Sequence, residues 1–293
     1  MTDAVPVDRD EPHVLSETEL WRRRYRQRQR NRSTTIASIS TVLFAAVVFL
    51  AVTHTPGWPA FRETFLNGEV FRKTFPGIAR AFLVDLKLMA IIAIFALVTG
   101  LVIATIRTST GAVLTPLRLF GTVYVDFFRG CPLIILLYLF GLGVPSLQLS
   151  ALPKSGTFWG AVAITFAYSA YVGEVLRAGI QSVHPSQRAA ARSLGLTHRQ
   201  ALRIVVLPQA VRAVLPALLN DFVSLQKDVG LIAIVGGTTD AVQQATIDNS
   251  LTFNFTPFIG AALLFIALAV PSARFVDAYA ARANNRQRAG ALV

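Results

Sequence analysis

Five stretches of the chain run without a charged side chain for long enough to cross a bilayer: Ser33–Phe61, Leu88–Ile106, Gly130–Pro153, Ser155–Gly173 and Ser250–Ala273. A hydrocarbon core of about 30 Å calls for roughly 20 apolar helical residues, because in lipid every backbone N–H and C=O has to be satisfied within the segment. Only Lys154 divides the third stretch from the fourth, and Pro145, Pro153 and Gly156 place a short loop over residues 145–157. A further stretch, residues 213–239, is apolar but carries Asp221, Lys227 and Asp228. The pattern predicts an all-α membrane protein with six transmembrane helices.

Composition agrees, with 53% hydrophobic and 15% charged residues. A soluble domain carries about a quarter charged residues, so the apolar surplus has to face lipid. The net charge of +12 would suit a nucleic-acid binder, but the basic residues flank segments that water does not dissolve, and no nucleic-acid partner is expected. The single cysteine, Cys131, allows no internal disulfide and reads as a small buried thiol. Residues 1–20 are polar and acidic, with no apolar core or cleavage site, so they are not read as a signal peptide.

Basic residues near helix ends set orientation. Trp21–Arg32 holds seven arginines and no acid, and the loop Glu174–Arg212 holds Arg177, Arg188, Arg192, Arg199, Arg203 and Arg212 against Glu174 alone. Both are expected in the cytoplasm, as is the tail with Arg282, Arg286 and Arg288, placing the N- and C-termini inside a plasma membrane. Residues 1–33 read as an arginine-rich tail, largely disordered and touching anionic lipid. Residues 34–53 follow as a first helix, and 54–81 as an outer segment whose Phe61, Phe65, Phe71 and Phe75 suit an interfacial helix.

The loop after the fourth span is long, at about 39 residues, yet not low-complexity. Pro185-Ser186 predicts a helix start with Ser186 as its cap, Gln187–Leu194 a short helix with alanines at 189–191, and Gly195 its C-terminal cap. Thr197 then caps a second helix, His198–Val206, which Leu207-Pro208 is expected to end. Small side chains on an exposed helix let another protein's backbone approach closely, so this is a docking element.

Ala189-Ala190-Ala191, Gly195, Val205 and Leu207-Pro208 resemble the loop signature of importer-type ABC permeases: Glu-Ala-Ala, three residues, Gly, nine residues, Ile, one residue, Leu-Pro. The spacing matches throughout. Ala189 replaces the usual Glu and Val205 the usual Ile, which puts in question the charge contact made by that Glu; Arg188 or Arg192 is a candidate to rebalance it. Gly173–Ile180, Leu207–Arg212, Leu215–Asn220, Ser224–Asp228 and Phe128–Leu133 look like the polar amino acid branch of the same family. The resemblance covers about residues 82–277 and implies a type I importer permease domain over 82–278, followed by a cytoplasmic tail over 279–293. It also implies a second permease subunit, an extracytoplasmic amino acid binding protein and an ABC ATPase subunit. The ATPase would meet Gln187, Arg188, Ala189, Ala190, Ala191, Arg192, Gly195, Leu207 and Pro208, and would itself hold ATP and magnesium. The chain has no Gly-Lys pair and hence no phosphate-binding loop of its own. It binds no cofactor and is not expected to be an enzyme.

Ionisable groups at bilayer depth are costly and tend to face a cavity. Lys227 and Asp228, with Arg129 at the start of the third span, are candidates for the substrate pathway; Lys227 and Asp228 read equally well as an ion pair between helices. The Thr-Ser that commonly follows Lys-Asp in the resembled family is Val229-Gly230 here, so its hydroxyl contacts do not carry over. Glu174 and Arg177, one turn apart, are expected to pair, and Asp85 and Lys87 to lie at an interface. His184 and His198 have no clustered partners and are not read as metal ligands. Besides the importer, two readings remain: an ion-coupled secondary carrier, against which no repeat is visible, and a membrane scaffold recruiting a partner through the same loop.

Overall fold

The computed structural model describes residues 17–109, 111–197 and 200–290. The chain divides into two units after Arg62.

The first unit is dominated by α1 (Glu17–Thr53). Its apolar part, Asn31–Thr53, is long enough to span a membrane, and no residue of that stretch is buried within the chain. Some of its hydroxyls are satisfied within the helix: Thr41 and Thr53 donate to the carbonyls of Ala37 and Phe49 at 2.7 and 2.8 Å, as suits side chains that have no water to turn to. The arginine run continues this helix instead of forming the disordered tail expected of it. Arginine is a good helix former, and an existing helix extends more easily than a new one nucleates. Residues 1–16 lie outside the described residues.

The second unit begins within the short helix α2 (Trp58–Phe65), at Glu63, and continues into α3 (Gly68–Thr108). The Asn67 side chain caps α3 by accepting from the N–H groups of Glu69 and Val70. With 41 residues, α3 is about 60 Å long, roughly twice what a bilayer core requires. The segment 54–81 is therefore split: Phe65 of α2 stacks on Phe255 at 5.1 Å, whereas Phe71 and Phe75 stack on each other at 4.9 Å within the first turns of α3.

A 3₁₀ turn (Ala112–Leu114) leads to α4 (Thr115–Gly130). Then come α5 (Leu133–Leu137), a π-helical turn (Tyr138–Gly143) and α6 (Val144–Ser146). The expected straight span over Gly130–Pro153 does not form. Residues 112–130 and 133–146 make a pair bent by 107° instead. The cause is Pro132, which disfavours helical backbone at Cys131; that residue is extended, at φ −87 and ψ 128.

The remaining helices are α7 (Gly156–Ser182), α8 (Pro185–Ser193), α9 (Leu207–Asp228), α10 (Ala241–Thr252) and α11 (Thr256–Gly290). Five helical stretches are long and apolar enough to cross a membrane, and the bent pair makes a sixth. No strand occurs among the described residues.

The second unit is built on the packing of α3 against α7. A Cβ added at Gly100 would lie 2.6 Å from Cγ1 of Val172, and one at Gly173 would lie 3.3 Å from the Gly100 carbonyl. Small residues at such a crossing let backbones approach where lipid supplies no hydrophobic drive. Around them Ile92, Leu136, Leu137, Ile164, Leu225 and Ile232 are almost wholly buried.

At the α10 end several polar groups pair with one another, although one oxygen each of Asp85 and Asp248 is buried without a partner. Asp240 caps α10 by accepting from Gln243 N–H at 2.8 Å, and Asp85 of α3 accepts from Ala241 N–H at 2.9 Å. Both carboxylates are buried, so Asp85 is a cap reaching across from another helix and not the interfacial residue expected; Lys87 is exposed. Burial pushes the Asp240 carboxyl above the usual carboxylate range, offset in part by the Gln243 and Val242 N–H groups. Asn254 donates to the Glu63 carbonyl, and Thr256 accepts from Asn67 N–H at 3.0 Å, tying the start of α11 to α2 and α3.

Candidate functional site

The alanine-rich helix α8 forms where the sequence places it, but a different residue starts it. His184 is the cap: its Nδ1 accepts from Ser186 N–H at 3.2 Å, and Pro185 takes the first helical position, where its missing N–H costs nothing. At the other end Gly195, at φ +83, lets the chain turn back. Gly195 N–H donates to the Arg192 carbonyl at 2.9 Å and Leu196 N–H to the Ala191 carbonyl at 3.2 Å, the paired bonds of a Schellman cap. Thr197 and Gln200 then form a reciprocal capping box, with Thr197 N–H donating to the Gln200 side chain at 2.9 Å. His198 and Arg199 lie outside the described residues.

One face of α8 is anchored. Ala191 is buried, and beneath the loop Val183, Val206 and Ala210 cluster with Ile180. The opposite face is open: Gln187, Ala189, Ala190 and Arg192 are exposed, and Leu194 is 82% exposed. A short helix with both ends capped and one small-residue face uncovered is shaped to meet another surface. Arg188, a candidate to replace the absent Glu charge at Ala189, turns back instead and donates to the Ile180 carbonyl. Arg192 remains exposed.

The expected stop at Leu207-Pro208 does not occur. Residues 201–206 form a π-helical turn in which Leu207 N–H reaches the Leu202 carbonyl, and the helix runs on into α9 with Leu207 half-buried and Pro208 exposed in its first turn. The wider turn moves the carbonyl that a proline ring would otherwise strike.

Behind α8, Glu174 accepts from Arg107 at 2.6 Å and from Arg177. The Arg177 partner follows from its helical spacing. Arg107 does not, because it comes from the end of α3; the only sequence signal is that Glu174 is the one acid among the loop's arginines.

The Lys227-Asp228 pair stands at the end of α9, where the helix tightens into a 3₁₀ turn (Val229–Val235) and then leaves helical geometry at Gly236 and Gly237, with φ +69 and +101. Asp228 accepts from the Tyr168 hydroxyl of α7 at 2.7 Å, and the Tyr168 ring meets Tyr171 edge-on at 5.9 Å. The Arg129 guanidinium lies 5.9 Å above the Tyr171 ring. Two tyrosines thus link Arg129 and Asp228, while Lys227 is exposed and enters neither ion pair found among the described residues. Sequence reasoning missed both tyrosines, although Tyr168 and Tyr171 are one turn apart in the fourth apolar stretch.

Residues 112–285 match the model of the family described as binding-protein-dependent transport system inner membrane component. The chain is 37% identical over 174 residues to the probable glutamine ABC transporter permease protein GlnM of Bacillus subtilis, which covers 59% of this chain and 78% of that one. It is 30% identical over 195 residues to the arginine transport system permease protein ArtQ of the same organism, 66% of this chain and 86% of that one. Among solved structures, an amino acid ABC transporter crystallised with histidines superposes with a TM-score of 0.65 at 32% identity, over 72% of this chain and 96% of that one. The MetNI methionine transporter, at 19% identity and a TM-score of 0.56, shares the fold over 69% of this chain and 95% of that one. With the family model matching more than half of its length and the permease fold covering the same helices, the chain belongs to the binding-protein-dependent transport system inner membrane components.

Proposed function

We propose that the chain is the translocation subunit of an ATP-binding-cassette importer for polar amino acids of the glutamate, glutamine, arginine and histidine class. It sits in the plasma membrane with both termini and α8 on the cytoplasmic side. The observation that carries this reading is α8 itself: a helix capped at both ends, anchored through Ala191 and open along Ala189 and Ala190. Gln187, Arg188, Ala189, Ala190, Ala191, Arg192, Gly195, Leu207 and Pro208 form or support the seat for a separate ATPase chain, which holds ATP and magnesium. A second permease subunit, of the same or a homologous chain, completes the passage, and an extracytoplasmic amino acid binding protein delivers the solute.

Within the membrane, Arg129, Lys227 and Asp228 line the passage. The exposed Lys227 ammonium and the Asp228 carboxylate held by Tyr168 offer opposite charges next to an unwound turn, which suits a zwitterionic solute. The names of the relatives, which concern glutamine and arginine, support this substrate class.

The test is recovery of tagged full-length chain from detergent-solubilised native membranes, with partners identified by mass spectrometry. An ATPase subunit is expected to accompany it and to be lost with Gly195→Glu. Recovery of the chain without any ATPase, under conditions that keep other membrane complexes intact, would overturn the reading in favour of an ion-coupled carrier.

A further inference from the structure

Beside the exposed alanines, the α8 end holds a cleft of about 210 Å³ between the last turn of α3, the end of α7, α8 and the π-helical turn that precedes α9. Arg107, Gln181, Arg188 and Arg192 line it, together with apolar Ile180 and Val206. No acid lines it. The neighbouring carboxylate, Glu174, is already shared between Arg107 and Arg177. Among the described residues neither Arg188 nor Arg192 has an ion-pair partner, and the Arg188 Nε is shielded from water with no acceptor. Gln181 accepts from Arg177 through its carbonyl oxygen, which leaves its amide N–H groups to donate.

We propose that this cleft binds a phosphate group, presented either by an anionic phospholipid or by free phosphate. Guanidinium forks match phosphate oxygens bidentately, and three of them lining one small cleft without a carboxylate make a site for an oxyanion. The apolar wall at the end of the membrane-spanning helices favours the lipid as its source, because a headgroup phosphate at that depth arrives with glycerol and acyl carbons for Ile180 and Val206 to cover. Contributions from α3, α7 and α8 mean that the bound phosphate ties α8 to the ends of two spans. The site shares Arg188 and Arg192 with the proposed ATPase seat but leaves Ala189 and Ala190 open, and it forms in the chain alone.

The test uses full-length chain in maltoside micelles, which contain no phosphate, with phosphatidylglycerol, phosphatidylcholine or inorganic phosphate added against chloride at matched ionic strength. Phosphatidylglycerol is expected to raise the unfolding midpoint by about 5 °C or more at saturation. One lipid should be retained in native mass spectrometry, and both signals should vanish in the R188Q/R192Q double variant while R188K/R192K keeps part of them. An equal rise with inorganic phosphate would identify a free oxyanion as the ligand. Wild-type chain indifferent to both additives overturns the proposal, whatever the variants do. It is equally overturned by a response that survives R188Q/R192Q, which would belong to the arginine run of α1. A shift seen only with the ATPase present would also sink it, since an acidic side chain would then be the occupant.

Discussion

The α10 end and the α8 end of the second unit handle charge in opposite ways. At the α10 end, Asp85 and Asp240 are buried and each gives one oxygen to a backbone N–H of the same helix start, while Asn254 and Thr256 fasten the start of the next helix to α2 and α3. At the α8 end, arginines outnumber acids, the alanine face is uncovered, and Gly195 closes the helix with open space around it. One end is closed upon itself and the other is left unfinished. Polar groups that end in internal hydrogen bonds hold a fold together, whereas polar and small groups left open wait for another molecule.

Substitutions can break that contrast, and the largest effect is expected at Gly195. No atom lies within 4 Å of where its Cβ would be, so Gly195→Glu does not disturb packing; it strains a left-handed residue by about 1–2 kcal/mol and puts a charge at the end of the docking helix. Amino acid uptake by the reconstituted complex should fall by about 100-fold, equivalent to about 2.7 kcal/mol, with the unfolding midpoint of the isolated chain moved only slightly. Asp85→Ala should do the reverse: it leaves the buried Ala241 N–H unpaired, costs about 1–3 kcal/mol in thermal unfolding and leaves ATPase recovery unchanged. Asp85→Asn keeps an acceptor and should cost less.

Removing the local cap with Asp240→Ala should lower stability by about 1 kcal/mol in the same assay. The smallest effect on stability, about 0.5–1.5 kcal/mol, is expected from Tyr168→Phe, which frees the Asp228 carboxylate. Transport assays on that variant sharpen the contrast, because a residue serving the passage should change the KM for amino acid where a merely structural one changes only the amount of folded protein.

The apolar stretches were enough to read an all-α membrane fold, because the bilayer demands length and internal hydrogen bonding and little else. Gly195 was legible for a comparable reason, since helix ends have local chemistry. Local rules failed where a distant partner or a compensating turn decided the outcome. Hydropathy has no direction, so it read Gly130–Pro153 as a span of its own and missed that Cys131-Pro132 joins it to α4 at 107°. Pro208 read as a stop because its effect was judged without the π-helical turn before it. The caps at Asp85 and the hydroxyl at Asp228 join residues 156 and 60 positions apart, which no periodicity reports.

That π-helical turn has a consequence for the angular phase of the passage. A turn closed from residue i to i+5 holds one residue more than an α-helical turn, and each residue is worth about 100° of rotation about the helix axis. The wider turn absorbs that residue over one full rotation, so Lys227 and Asp228 keep the phase they would have on an unbroken α-helix one residue shorter. The extra residue therefore makes room for Pro208 inside a continuous helix while the charged pair keeps its bearing on α7.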